Sequence, residues 1–141
     1  MKHLFLDTNV LIDFLIDRKP FSHEAAKLFN YSLKKKVNLY VSAVSYNNIY
    51  YILNRNNSNT QTIKSLTELF ELTEIIDVSK EIIKKSLHSN FKDFEDAIQY
   101  HSAKSFNKID CIVTRNTKDF KTSVLPVFNV TEVLSFLEST I

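Results

Sequence analysis

His3-Leu4-Phe5-Leu6-Asp7-Thr8-Asn9-Val10-Leu11-Ile12-Asp13-Phe14-Leu15 carries the clearest structural signal in the chain. His3 to Leu6 is a short apolar-rich run suited to a buried strand, and Asp7 ends it. Val10 to Leu15 is dense enough in apolar residues for a short helix, which closes near Lys19-Pro20. Between them stands Asp7-Thr8-Asn9. A neutral turn would serve packing equally well there, so this acidic and polar trio needs a reason beyond packing.

The rest of the chain alternates in the same way. Ser22 is placed to cap a helix whose Ala25, Ala26, Leu28, Phe29 and Leu33 form an apolar stripe. Lys34 to Lys36 follow at its C-terminal end, where the helix dipole favours positive charge. Asn38 to Ser42 reads as a second strand, Ser45 to Leu53 as a helix and Asn54 to Asn59 as a polar break. Another helix is expected from Thr60 to about Leu69, with Ile63, Leu66, Leu69 and Phe70 inward. Glu74 to Val78 is the third strand, and Ser79 caps a helix through about Leu87. Asp93 to Ala103 reads as a helix, with Asp93 as a cap and Asp96 at capping-box spacing. Ile109 to Thr114 and Leu125 to Phe128 are the last strands, and Thr131 to Leu137 the last helix. Short apolar strands separated by helices predict an α/β fold with a mostly parallel sheet covered on both faces.

Composition narrows the function. The chain has 141 residues, 44% of them hydrophobic, enough for one core and one domain over 1–141. Lys and Arg total 18 against 16 acidic residues, a net charge of only +2. Attraction for phosphates must therefore come from local patches. Cys111 is the single cysteine, which excludes an intramolecular disulfide or a cysteine-built metal centre and suits a reducing cytosol. The opening residues are not those of a signal peptide, and no apolar run is long enough to span a bilayer. Glycine is absent, which excludes Gly-rich phosphate loops and assigns left-handed turn positions to asparagine.

Parallel sheets bind ligands at the carboxyl ends of their strands. Asp7 follows the first strand there, and Asp119 lies just beyond the fourth. Asp93 and Asp96 share a face near the start of one helix. Should that helix start at the same edge, Asp7, Asp96 and Asp119 converge. Carboxylates brought together raise one another's pKa unless a cation offsets the repulsion, and Mg²⁺ or Mn²⁺ suits an all-oxygen site. Taken singly, Asp7 can also be a turn former, Asp93 a cap and Asp119 a loop residue. His3, His23, His88 and His101 show no zinc-ligand spacing, and Ser42, Ser45 and Cys111 lack an evident base. Lys108, Arg115, Lys118 and Lys121 flank the expected site and are candidates for phosphate-backbone contacts or ordinary surface charge. Tyr46, Tyr50, Tyr51 and Tyr100 can stack on bases, though helical spacing favours packing.

Four segments, taken in order, resemble the PIN-domain family, and specifically the toxin nucleases of bacterial toxin–antitoxin pairs. They are Asp7-Thr8-Asn9-Val10-Leu11, the stretch from Ser42 to Ile49, Asp93-Phe94-Glu95-Asp96-Ala97, and Ile112 to Asn116 with Lys118-Asp119-Phe120. The resemblance covers nearly the whole chain and implies a Rossmann-like three-layer fold. It places metal-binding aspartates at Asp7, Asp96 and Asp119, with Asp93 as an auxiliary. Thr8, Asn9, Asn48, Thr114 and Asn116 are the supporting polar positions it implies. There is one departure: the usual pattern has a glutamate where this chain has Asn48, which leaves the site one negative charge short. The implied chemistry is metal-dependent hydrolysis of RNA to 5′-phosphate and 3′-hydroxyl ends, without a covalent intermediate. The implied partners are RNA, an antitoxin protein and a second copy of the chain, whose surface would include the apolar Asn48 to Leu53 stretch. A rival expectation is a PIN-like domain that binds without cutting. Another is an interaction protein whose aspartates only cap and turn.

Overall fold

Alternation along β1 (Lys2–Leu6) decides which core each side chain enters. Leu4 and Leu6 point into one cluster and Phe5 into the other, as successive strand residues must. The computed structural model describes residues 2–140; Met1 and Ile141, the ends of the domain expected over 1–141, lie outside the described residues.

After β1 come α1 (Thr8–Leu15), α2 (Ser22–Leu33), β2 (Val37–Ser42), α3 (Ala43–Leu53), α4 (Asn59–Leu72) and β3 (Glu74–Ile76). Then follow α5 (Lys80–Leu87), α6 (Phe94–Ser105), β4 (Cys111–Val113), a 3-10 turn (Thr117–Phe120), β5 (Val127–Phe128) and α7 (Val130–Thr140). The sheet order is β3-β2-β1-β4-β5, and every neighbouring pair is parallel. This is the α/β sandwich expected from the sequence. Leu39, Val41 and Val113 share a core with Leu11 of α1, Phe29 of α2, Ile49 of α3, Leu69 of α4 and Leu137 of α7. On the other face Phe5, Tyr40 and Ile112 pack with Tyr100 and Ala103 of α6 and with Phe120. Phe5 is fully buried, worth roughly 2–3 kcal/mol by transfer.

Several local expectations change. β1 and β2 each begin one residue earlier than read, whereas β3, β4 and β5 are shorter at their ends. Ser22 does not cap α2: its amide already donates to the Arg18 carbonyl (2.8 Å), so it is the first helical residue and sits buried. Ala26 and Leu33 of the same helix are exposed. On α4 the inward stripe is Thr62, Leu66 and Leu69, while Ile63 and Phe70 face outward. Thr62 can be buried because its hydroxyl donates to the Ser58 carbonyl (3.0 Å). A capping box between Ser58 and Gln61 starts this helix.

The left-handed positions fall to Asp17 (φ 51°) and Lys35 (φ 59°), not to asparagine. Both end helices by the same bonding pattern. Lys36 N–H donates to the Tyr31 carbonyl and Lys35 N–H to Ser32, each at 2.9 Å. Arg18 N–H donates to Asp13 (3.0 Å) and Asp17 N–H to Phe14 (3.4 Å). These bonds satisfy carbonyls that the helix leaves open, which offsets the modest cost of a non-glycine residue there. Among the described residues no helix is long and apolar enough to cross a membrane.

Candidate active site

All strands run the same way, so the ends of β1, β2 and β4 open on one edge of the sheet. Asp7 leaves β1 there with its amide bonded to the Val113 carbonyl (2.9 Å). It takes the N-cap position of α1, yet its side chain makes no cap bond. The carboxylate turns into the protein instead and is only 3% exposed. Oδ1 accepts from Gln99 Nε2 (2.9 Å), and Oδ2 accepts from Thr114 Oγ1 (2.6 Å) and Asn9 Nδ2 (3.4 Å). Gln99 Oε1 accepts from the Thr8 amide (3.0 Å), which fixes which end of the carboxamide faces Asp7. Each carboxylate oxygen keeps acceptor capacity after these bonds.

α6 begins at the same edge. Asp93 caps it, Oδ1 accepting from the Asp96 amide (3.0 Å), so one of the roles open to Asp93 is filled as a cap. Asp7, Asp93, Glu95, Asp96 and Asp119 then line one cleft of about 240 Å³. Thr8, Asn9, Asn48, Gln99 and Asn116 supply its other polar walls, and Ile12 and Ile52 its apolar part. Thr114 lies behind Asp7, with Oγ1 also accepting from the Asn116 amide (3.0 Å). Asp119 N–H bonds the Asn116 carbonyl (3.0 Å) within the 3-10 turn that brings Asp119 to the cleft.

The crowding is electrostatic as well as steric. Burial first, then Asp7, Asp93, Asp119 and Glu95, push the Asp96 carboxyl up to about 7. Burial also raises Asp7, against the lowering effect of the Thr114 and Gln99 bonds. Neither lysine nor arginine lines the cleft. An all-oxygen set of carboxylates with no basic partner is donor chemistry that fits a hard divalent cation. The side chains do not form a closed ligand shell: among the described residues no group of three or more His, Cys, Asp or Glu is arranged to hold a metal ion.

The basic candidates divide. Lys118, in the turn that carries Asp119, and Lys121, directly after it, are exposed. Lys108 precedes β4 and therefore sits at the opposite edge, beside Asp110, whose amide bonds the His3 carbonyl. Crossing the sheet from there takes about 20 Å at strand rise, so Lys108 does not flank the site. Arg115 also turns away. Its Nε lies 3.0 Å from Asp13 Oδ2, an ion pair rather than an aligned hydrogen bond. Its guanidinium covers the Phe21 ring at 4.3 Å. Tyr100 is buried and accepts from the Val124 amide (3.1 Å), while Tyr46 packs against the main core, so neither is free to stack on a base. Cys111 is buried, and burial and Asp110 push its thiol up to about 12, which removes it as a nucleophile at neutral pH.

Three residues escaped the sequence reading. Gln99 is one: a polar residue three beyond Asp96 and on its face was the available signal. Glu95 is another, hidden as a spacer between two aspartates. Asp13 is the third. It is 2% exposed inside an apolar helix, and a charge in such a place signals a partner elsewhere.

A parallel α/β domain with an acidic cleft at the carboxyl edge of its sheet defines a broad class, and comparison with known proteins narrows it. The PIN domain family profile matches residues 3–118. The chain belongs to the PIN-domain family. It is 27% identical over 135 residues to Ribonuclease VapC1 of Aquifex aeolicus, covering 92% of this chain and 91% of that protein. It superposes on a DNA-bound VapBC structure from Salmonella typhimurium with a TM-score of 0.71 and 15% identity, covering 92% of this chain and 99% of that one. A toxin–antitoxin complex from Klebsiella pneumoniae gives a TM-score of 0.63 at 25% identity, covering 88% and 94%.

Proposed function

We propose that residues 1–141 form a single PIN domain that hydrolyses RNA phosphodiester bonds with Mg²⁺ or Mn²⁺, as the toxin of a toxin–antitoxin pair. The observation that carries this is the meeting of Asp7, Asp96 and Asp119, remote in sequence, in a cleft lined by no basic residue. Asp7, Asp96 and Asp119 would hold the ion, with Asp93 able to contribute Oδ2 while Oδ1 caps α6. Such an ion, when bound, would supply a more acidic water and a polarising charge for the phosphoryl group.

The chain's own residues do the rest. Gln99, Thr114 and Asn9 keep Asp7 oriented by bonding the charged carboxylate, and Thr8 holds Gln99 in turn. Asp96, with its raised pKa, must give up a proton before it can serve as a ligand near neutral pH. Lys118 and Lys121 contact the RNA backbone, positioning it without reading sequence. Similarity to a toxin–antitoxin complex supports a cognate antitoxin as protein partner; a second copy of this chain and a cytoplasmic setting are part of the same proposal.

Asn48 and the open arrangement of the carboxylates favour a second reading, a PIN-like domain that binds RNA or a protein without cutting. Incubating the purified chain with single-stranded and structured RNAs, with Mg²⁺ or Mn²⁺ and with chelator, decides between them. Metal-dependent cleavage that disappears in Asp7→Asn supports the nuclease. Binding without cleavage selects the RNA-binding form of the second reading, and neither binding nor cleavage overturns the nuclease and leaves only the protein-binding form.

A further inference from the structure

Position 48 on α3 is a neutral asparagine at the cleft wall, and Glu95 lines the same cleft from α6. The Thr8 hydroxyl ties these two walls together. Thr8 Oγ1 lies 2.8 Å from Glu95 Oε2 and 2.7 Å from Ser45 Oγ. Thr8 has a single proton and two acceptors, Glu95 Oε2 at 2.8 Å and Gln99 Oε1 at 3.3 Å; the shorter contact, to a carboxylate, takes the proton, and Ser45 donates to Thr8. Ser45 and Asn48 stand three residues apart and share one face of α3. The Glu95 carboxylate is therefore pinned beside the α3 face that carries Asn48. Its Oε2 is engaged, while Oε1 makes no hydrogen bond among the described residues.

We propose that Glu95 completes the acidic set that binds the divalent cation, supplying from α6 the carboxylate that Asn48 does not supply from α3. The inference rests on the nuclease reading above, because it takes the cation to sit among Asp7, Asp96 and Asp119. It differs from a purely structural role for Glu95, in which the side chain only orients Thr8. Glutamine preserves that role, since its carbonyl oxygen accepts the same Thr8 bond, and removes only the charge.

The test is Mn²⁺ binding to the full chain in the absence of RNA, by calorimetry and by the loss of the free-ion paramagnetic resonance signal. Wild type, Asp7→Asn, Glu95→Gln and Glu95→Gln/Asn48→Glu are compared, with urea melts to establish that each is folded. Glu95→Gln is expected to weaken Mn²⁺ binding by about tenfold or more, and Asn48→Glu to restore most of it. Unchanged binding in Glu95→Gln, with binding lost in Asp7→Asn, overturns this inference and leaves the nuclease reading standing. Weakened binding that Asn48→Glu does not restore also overturns it, because the two positions are then not interchangeable. Binding that survives Asp7→Asn overturns the underlying reading itself.

Discussion

Replacing Asp96 by asparagine should make the metal-free protein more stable. The Asp96 side chain makes no hydrogen bond among the described residues, and the Asp93 cap bonds the Asp96 backbone, so the substitution removes no bond. It does remove a carboxylate whose pKa burial and four acidic neighbours raise to about 7 from an ordinary 3.8. Each tenfold in proton affinity is worth about 1.4 kcal/mol, so full conversion would give about 4 kcal/mol. Asp96 is only half-buried, and solvent screening reduces this to on the order of 1–2 kcal/mol. Losing a negative charge in the first turn of α6 offsets about 0.5 kcal/mol of that. The net gain is about 1 kcal/mol at pH 8, or a rise in Tm of roughly 3–5 °C. The folded protein binds the Asp96 proton more tightly than the unfolded chain does. Stability from this group is thus complete below pH 3.8 and lost as pH rises through about 7. The advantage of the variant should therefore appear between pH 5 and 8 and vanish near pH 4. Thermal melts in chelator across that range measure it. A variant that melts at or below wild type at pH 8 would refute the idea that the cleft holds uncompensated carboxylates. Saturating Mg²⁺ should reverse the order, since only wild type gains from binding.

Mn²⁺ affinity should rise between pH 6 and 8, because Asp96 must lose its proton to bind; calorimetry in buffers of different ionisation heat should register that proton release near pH 6. Thr114→Val keeps the buried shape but takes the 2.6 Å bond from Asp7 Oδ2. It should cost about 1–2 kcal/mol in urea melts and at least about tenfold in Mn²⁺ affinity. Arg115→Met leaves the buried Asp13 with only Arg18 at 3.4 Å, and should lose about 3 kcal/mol. Adding Asp13→Asn should recover most of that loss, and a double-mutant cycle showing no coupling would refute the pairing.

The layered fold was legible because its signals are local. An apolar run broken by Asp7, a polar turn and a helix fix β1 and α1, and the same alternation repeats along the chain. The meeting of Asp7, Asp96 and Asp119 in one cleft was legible too, since parallel strands send their carboxyl ends to one edge. What the sequence concealed depends on partners remote along the chain. Gln99 matters because it bonds Asp7, and its place three beyond Asp96 marks only the helix face it shares, not that partner; Thr114 was expected as a supporting polar position through the family resemblance alone. Ile63 and Phe70 misled because apolar character alone set the α4 stripe, whereas Thr62 enters the core by satisfying its hydroxyl locally. Arg115 and Lys108 were placed by nearness in sequence, which says nothing of side-chain direction or of which end of a strand a loop occupies.

Arg115 also bears on why the cleft should need a cation from outside. It follows directly on Thr114, which bonds Asp7, and a guanidinium turned inward there would neutralise part of the acidic charge. Asp13 and Phe21 hold it the other way. Burial lifts the Asp13 carboxyl above its ordinary value, with Arg115 and then Arg18 opposing that rise, so releasing Arg115 would strand a buried charge. Lys118 and Lys121 stay exposed outside the cleft. The fold thus pays in stability to keep its own cations away from the carboxylates. An anionic phosphodiester arriving at such a surface meets repulsion until a divalent ion is in place, so on the nuclease reading the ion must load before, or together with, the RNA.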